Sequence, residues 1–159
     1  MREIELSRGL VSIVDDADYD WVAQWKWTAC VGSSGLVYAV RRAKATESAG
    51  RPQIAMHRAI LNAPLHLLVD HINHDTLDNR RENLRLCSAS QNNMNKRLNR
   101  RSTSGHKGVS WDASEGQWAV KIKVNRREIW LGRYDNIDDA VAAYRNGSLQ
   151  YHGDFGLSE

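Results

Sequence analysis

The chain of 159 residues has few cysteines and no long apolar run. Its two cysteines, Cys30 and Cys87, form no Cys-x-x-Cys pair, which excludes a four-cysteine zinc site and allows at most one disulfide. We expect two reduced thiols in a reducing compartment. No apolar run reaches the length of a membrane span, and the N-terminal MREIELSRGL has no signal-peptide pattern. A cytoplasmic protein without membrane contact is therefore expected.

The net charge of +3 is distributed unevenly. Residues 80–107 contain eight Lys or Arg and one acidic residue, whereas residues 1–79 and 108–159 each carry a net charge of −2. A basic segment between two mildly acidic ones favours contact with a polyanion such as nucleic acid. A solvated linker has the same composition, so charge alone leaves both interpretations open.

The N-terminal half has the pattern of a small antiparallel sheet. Runs rich in β-branched and aromatic residues alternate with turn signals, and the predicted strands are Leu10–Val14, Trp25–Ala29, Leu36–Val40 and Gln53–Met56. A short helix is possible at Tyr19–Gln24 and another is predicted at Met56–Asn62, ending near Pro64. The most direct role for Trp21, Trp25 and Trp27 is in the core.

The most informative residues are Asp70, His71, Asn83 and Asn92, in VDHINHDTLDNRRENLRLCSASQNNMN. An adjacent Asp-His pair followed by two amides supplies what a one-metal nuclease needs: a base, a group that fixes its loop, and oxygen ligands for a cation. The predicted order is a strand over Leu67–His71, a polar loop, a strand over Asn83–Cys87 and a helix over Ser88–Asn99, capped by Ser88 or Ser90.

This segment resembles the HNH, or ββα-metal, nuclease motif, with Asn92 in place of the last histidine. His71 is the candidate general base, because imidazole titrates near ~6.5. Asp70 and Asn92 are the candidate metal ligands, because carboxylate and amide oxygens suit Mg²⁺; Mn²⁺ is a possible substitute. The resemblance implies that Asn83 braces the loop and orients the base.

Several other residues have competing interpretations. Asn93 and Asn95 are rivals to Asn92 with poorer spacing. Arg58 and Arg85 either clamp phosphate or form ion pairs with Asp75 or Asp78. Among the remaining histidines, His57 is expected to be packed or to face DNA, and His74 is expected near the site. The other three, His66, His106 and His152, are expected in solvent.

The C-terminal third predicts three strands, Gly108–Trp111, Trp118–Val124 and Glu128–Tyr134, and a helix capped by Asn136. Its sequences SGHKGVSWD, GQWAVKIKV and IWLGRYDNIDDAVAAYRNGSLQYHG resemble the AP2 DNA-binding domain. That resemblance implies that the sheet enters the major groove. Strand alternation supports it by placing Lys121 and Lys123 on one face and apolar residues on the other.

The DNA-binding candidates combine the basic strip, the two arginines near the motif and this sheet. They are Arg58, Arg85, Lys96, Arg97, Arg100, Arg101, Lys107, Trp111, Lys121, Lys123, Arg126 and Trp130. Because lysine is a weaker bidentate reader of guanine than arginine, the C-terminal module is expected to add affinity more than sequence choice.

The whole pattern resembles phage-type HNH homing endonucleases that carry an AP2 domain. We therefore expect an α+β protein with a β-rich HNH nuclease domain over 1–99, a basic linker over 100–107 and an AP2-like domain over 108–159. The expected activity is cleavage of double-stranded DNA by a monomer, in the cytoplasm of a bacterial or phage-infected cell. One alternative is a non-catalytic AP2-type transcriptional regulator. The other is a degradative nuclease, and the appended recognition module argues against this second alternative.

Overall fold

The computed structural model describes residues 1–44, 46, 52–96, 98 and 102–156. Within these residues the fold is a mixture of α-helices and small antiparallel sheets, which confirms the predicted α+β class. The chain divides into two units, Met1–Ser88 and Ala89–Glu159. Among the described helices, none combines the length and apolar character needed to span a bilayer.

The described residues of the first unit form three small sheets, with strand orders β1-β2, β3-β4-β5 and β6-β7. Its elements are β1 (Arg2–Glu5), β2 (Val11–Val14), α1 (Asp16–Val22), β3 (Thr28–Val31), β4 (Val37–Arg42), β5 (Gln53–Ala55), α2 (Met56–Ile60), β6 (Leu68–His71) and β7 (Leu84–Cys87). The prediction of one sheet before α2 is wrong, because β1 went unrecognised. Its sequence REIE buries only Ile4 and lacks the β-branched run that identifies a strand.

The core of the first unit brings together apolar side chains from its strands and its two helices. Trp27 is fully enclosed there, and its Nε1 donates to the backbone oxygen of Val22 at 2.9 Å. Trp21 and Trp25 are half-buried and pack against this core. The buried members are Ile4, Leu6, Val14, Val22, Trp27, Ala29, Ala39, Met56, Ile60 and Leu84.

The second unit contains a three-stranded antiparallel sheet of order β10-β9-β8. Its elements are α3 (Ala89–Met94), β8 (Val109–Asp112), β9 (Gln117–Val124), β10 (Arg127–Tyr134) and α4 (Ile137–His152). The Asn136 side chain accepts from the Asp138 amide at 2.8 Å, so the predicted helix cap is confirmed. The three predicted strands occur with shifts at their ends, whereas the AP2-like arrangement and the predicted 100–107 linker stay predictions.

The two faces of this sheet differ as the alternation predicts. Val120 is buried in a core cluster with Ala140 of α4, and Ile122 is also buried, whereas Lys121 and Lys123 are exposed. Gly108 lets the sheet approach α4 closely, because a Cβ at that position would lie 2.2 Å from Cε2 of Tyr144. Its φ of +70° also belongs to the left-handed region that favours glycine.

Candidate active site

Asp70 and His71 are the last two residues of β6, and both are buried, with 7% and 5% of their surface exposed. In the β6-β7 pair, Asp70 lies opposite Arg85 and His71 lies opposite Leu84. Neighbouring residues on a strand point to opposite faces. The two side chains therefore lie on opposite faces of β6: Asp70 contacts Arg85, and His71 lies on the side of the buried Leu84.

Asp70 is held by Arg85. The Nε and NH2 groups of this arginine donate to Oδ2 of Asp70 at 2.9 and 2.7 Å. The sequence left open an ion pair of Arg85 with Asp75 or Asp78, whereas the observed partner is the proposed metal ligand itself. Asp78 instead accepts from Arg80 at 2.8 Å.

His71 is oriented by a chain of hydrogen bonds that begins at Ser12 on β2. The Ser12 hydroxyl donates to the backbone oxygen of Leu77 at 2.8 Å and accepts from Nδ2 of Asn79 at 2.7 Å. This fixes the amide of Asn79 with its Oδ1 3.3 Å from Nε2 of His71. Since an amide oxygen only accepts, Nε2 is the protonated nitrogen of the neutral ring and Nδ1 carries the lone pair.

The surroundings of His71 favour the neutral imidazole. Burial lowers its pKa from the ordinary 6.5, an effect that the hydrogen bond to Asn79 and the charges of nearby carboxylates such as Asp70 oppose. His57 packs edge-on against His71 with ring centroids 5.1 Å apart, and Tyr38 packs against His57 at 5.6 Å. Burial, with smaller effects of His71 and Arg58, lowers the pKa of His57 to about 3, so both rings are neutral near pH 7.

Asn83 holds both ends of the loop that follows His71. Its Oδ1 accepts from the amide of Asn73 at 2.9 Å, and its Nδ2 donates to the backbone oxygen of Asp78 at 2.8 Å. The loop is also tied to β2, because Ile13 exchanges backbone hydrogen bonds with Leu77 and Asn79 at 2.9 and 2.8 Å. These contacts are what a loop-bracing residue must make.

Arg58 donates to three backbone oxygens between α2 and β6. The acceptors are Leu67 at 2.8 Å, Ala63 at 3.1 Å and Pro64 at 2.8 Å. This arginine therefore stabilises the connection that leads into β6, which is a structural role that the sequence did not predict. Its contact with DNA stays a prediction.

Asn92, the second proposed metal ligand, is half-buried on α3 in the second unit. Its rival Asn95 is buried, and Asn93 is exposed. Among the described residues there is no cluster of three or more His, Cys, Asp or Glu side chains that could hold a metal. The donor chemistry nevertheless fits a hard cation, because a carboxylate and an amide supply oxygen ligands.

The DNA-binding candidates of the second unit differ in which face of the sheet they occupy and in whether the structure describes them. Lys121 and Trp130 are cross-strand partners on the exposed face, with Nζ 5.8 Å from the ring centroid, and Trp130 is 48% exposed. Trp111 instead contacts Trp118 edge-on at 5.0 Å, on the side of the sheet that carries the buried Val109. Three other candidates, Arg97, Arg100 and Arg101, lie outside the described residues, and Lys96 is exposed.

Sequence reasoning missed Asn79 and Ser12, although Asn79 is entirely buried and contacts the candidate base. A polar residue inside LDNRREN has the composition of a solvated loop, so its burial carries no local signal. Ser12 is also fully buried, on the same face of β2 as Val14, whereas a polar residue between apolar ones suggests a solvent-facing position.

Comparison with known proteins finds a family match over the segment that contains these residues. Residues 63–94, which include Asp70, His71, Asn83 and Asn92, match the family described as HNH endonuclease. Over 87 residues the chain is 28% identical to "Protein 3.8" of Escherichia phage T7, an alignment that covers 55% of this chain and 71% of that protein. No solved structure matches the chain. The family match supports an HNH-type nuclease, a class that generally uses a divalent metal.

Proposed function

We propose that the protein is a metal-dependent endonuclease that cleaves double-stranded DNA, of homing type, with His71 as its general base. The observation that carries the proposal is the buried Asp70–His71 pair at the end of β6, followed by a loop that Asn83 holds at both ends. The match of residues 63–94 to HNH endonucleases supports the same reading.

His71 accepts the proton of the attacking water at Nδ1. Its Nε2–H donates to Asn79, which keeps the lone pair on Nδ1 and prevents rotation of the ring. Burial keeps the imidazole unprotonated at neutral pH, so it is ready to act as a base. Asn83 keeps the following loop closed, and this loop carries Asn79.

Asp70 and Asn92 would hold the divalent metal, Mg²⁺ by donor type, with Mn²⁺ as a substitute. When bound, the metal supplies stabilisation of the negative charge on the phosphoryl and leaving oxygens. Arg85 holds the carboxylate of Asp70 in place. The role of Asn92 rests on its spacing in the sequence.

The second unit is proposed to supply DNA affinity through the exposed face of its sheet. Lys121, Lys123 and Trp130 share this face, and Arg133 lies 5.2 Å from the Trp130 ring. Lysines neutralise phosphates, and an exposed tryptophan offers an apolar surface to sugar or base. The exposed basic and aromatic face supports the AP2 resemblance of residues 104–154. We propose a monomer that contacts DNA through this module.

The deciding experiment is incubation of the full chain with supercoiled plasmid over a Mg²⁺ titration, for wild type, Asp70→Ala and Asn92→Ala. Metal-dependent conversion to nicked or linear DNA is expected for wild type. Each variant should require more Mg²⁺ and react more slowly, because it loses one of few protein ligands. Equal Mg²⁺ requirements in all three proteins would contradict the ligand assignment.

A non-catalytic DNA-binding regulator is the second candidate, and one observation favours it. Both donors of Arg85 converge on Oδ2 of Asp70, so the carboxylate already has a cationic partner. The plasmid assay separates the two functions: wild-type protein that binds plasmid but leaves it intact at all Mg²⁺ and Mn²⁺ concentrations would establish the regulator.

A further inference from the structure

The second unit contains a basic pocket that the proposed nuclease chemistry does not use. It has a volume of about 280 Å³ and is lined by residues of α3, the β9-β10 turn and the C-terminal end of α4. Its charged lining consists of Lys107, Lys123 and Arg126, and none of the described residues that line it is acidic. The pocket therefore concentrates positive charge in a concave surface.

The cations of the pocket differ from those on the neighbouring strands. Lys121 lies 3.8 Å from Glu128, and Arg133 lies 3.0 Å from Asp112. Lys107 donates to the backbone oxygens of Met94 and Lys96. Within the described part of the chain, Lys123 and Arg126 form no ion pair.

His152 provides an independent sign of a ligand. The sequence predicted a solvated residue, and this prediction is wrong, since His152 is 8% exposed at the end of α4. Its Nε2 bonds to the backbone oxygen of Lys123 at 3.0 Å, whereas its Nδ1 is buried and has no hydrogen-bond partner among the described residues. An unpaired buried polar atom is unfavourable, and a hydrogen-bond partner in the pocket would offset that cost.

We propose that this pocket binds a phosphate group. Lys123 and Arg126 supply charge without an internal competitor, and the unpartnered Nδ1 of His152 is a further hydrogen-bonding atom in the same lining. The volume exceeds that of phosphate alone, and Met94 and Tyr144 add apolar surface, which suits a phosphate with its attached sugar. The source is either free phosphate or the backbone of DNA. The proposal stands independently of cleavage, because binding needs neither His71 nor a metal.

The first arm of the test titrates inorganic phosphate into the full chain by calorimetry, while NMR follows the ring nitrogens of His152. We expect saturable binding, a shift of the Nδ1 resonance, and at least tenfold weaker affinity in Lys123→Gln and Arg126→Gln. Lys26→Gln is the matched control, because Lys26 is an exposed lysine of the first unit and lies outside this pocket. Arg126 has a φ of +67°, in the left-handed region. Because Arg and Gln both carry a Cβ, the substitution leaves the backbone strain of the turn unchanged.

The second arm measures duplex DNA binding against salt in the presence of EDTA, which removes cleavage from the readout. If the pocket holds a backbone phosphate, Arg126→Gln should reduce the log–log slope by about 1. An unchanged slope together with lost phosphate binding assigns the pocket to free phosphate. Phosphate affinities that are equal in wild type and in both pocket variants, with matched melting temperatures, would overturn the proposal.

Discussion

In the first unit, the carboxylates of Asp18, Asp70 and Asp78 are buried and each accepts from an arginine, whereas Lys121 and Lys123 of the second unit extend into solvent. Buried charges must be paired, because an isolated one is costly to desolvate. Such pairs hold loops and the carboxylate of Asp70 in place. Exposed cations fix little, but they attract a polyanion over a Debye length of about 10 Å at 0.1 M salt. The two units therefore differ in what their charged side chains do. Those of the first unit fix the positions of side chains and loops, whereas the exposed lysines of the second unit attract a polyanion.

The largest effect is expected from replacing the candidate base, His71. His71→Ala should lower cleavage by about 10³-fold or more while DNA affinity stays near wild type, because His71 acts on water and not on phosphate charge. Rates on supercoiled plasmid and gel-shift affinities are the measurements. His66→Ala is the matched control, since His66 is exposed. Undiminished cleavage by His71→Ala would refute the mechanism.

Gly108→Ala should destabilise the packing of the sheet against α4 in the second unit. The added Cβ would lie 2.2 Å from Cε2 of Tyr144 and 2.4 Å from the backbone oxygen of Lys121, at a φ of +70°. Overpacking and left-handed strain together should cost about 2–4 kcal/mol in the free energy of unfolding. Gly105→Ala is the control, with a φ of +72° but open space around it. Equal urea midpoints for the two variants would contradict the close approach of sheet and helix.

Asn79→Ala tests the orientation of the His71 ring without changing the charge of the protein. We expect kcat to fall about 10- to 100-fold with little change in DNA affinity, because the ring of His71 loses the acceptor that sets its tautomer. Asn79→Asp keeps an acceptor oxygen and should recover part of the rate. Ser12→Ala should show a smaller loss of the same kind. A change in DNA affinity with kcat intact would identify Asn79 as a binding residue instead.

The pH dependence of stability gives the smallest expected effect. Burial lowers the pKa of His57 to about 3 from 6.5, so between these values the unfolded chain takes up a proton that the folded chain does not. Stability should therefore fall as the pH decreases through this window, by up to about 1.4 kcal/mol per pH unit.

His57→Phe should remove that contribution and reduce the difference in unfolding free energy between pH 7 and pH 5 by about 2 kcal/mol. Urea unfolding at the two pH values measures it, with His66→Gln as a control at an exposed histidine. Identical pH dependence in wild type and His57→Phe would show that His57 is not held neutral by burial.

The elements of the second unit were the most predictable part of the chain. The alternation of GQWAVKIKV and the Asn136 cap are local signals, so β9 and α4 follow from the sequence. The strand over Trp25–Ala29 instead begins at Thr28, because Trp27 is drawn into the core and its indole bonds to the end of α1. β1 went unrecognised, because its pairing with β2 and not its composition makes it a strand.

For the candidate site, the sequence by itself determined the order of the parts: Asp70 beside His71 on a strand, a polar loop, and Asn83 at the point where the next strand begins. These follow from spacing and residue type, which are local properties. Only the tertiary structure decided that Arg85 holds Asp70, that Ser12 and Asn79 orient His71, and that His57 packs against its ring. Those contacts join residues from separate elements, and no local pattern encodes them, because strand pairing and burial bring together side chains that are far apart in the chain.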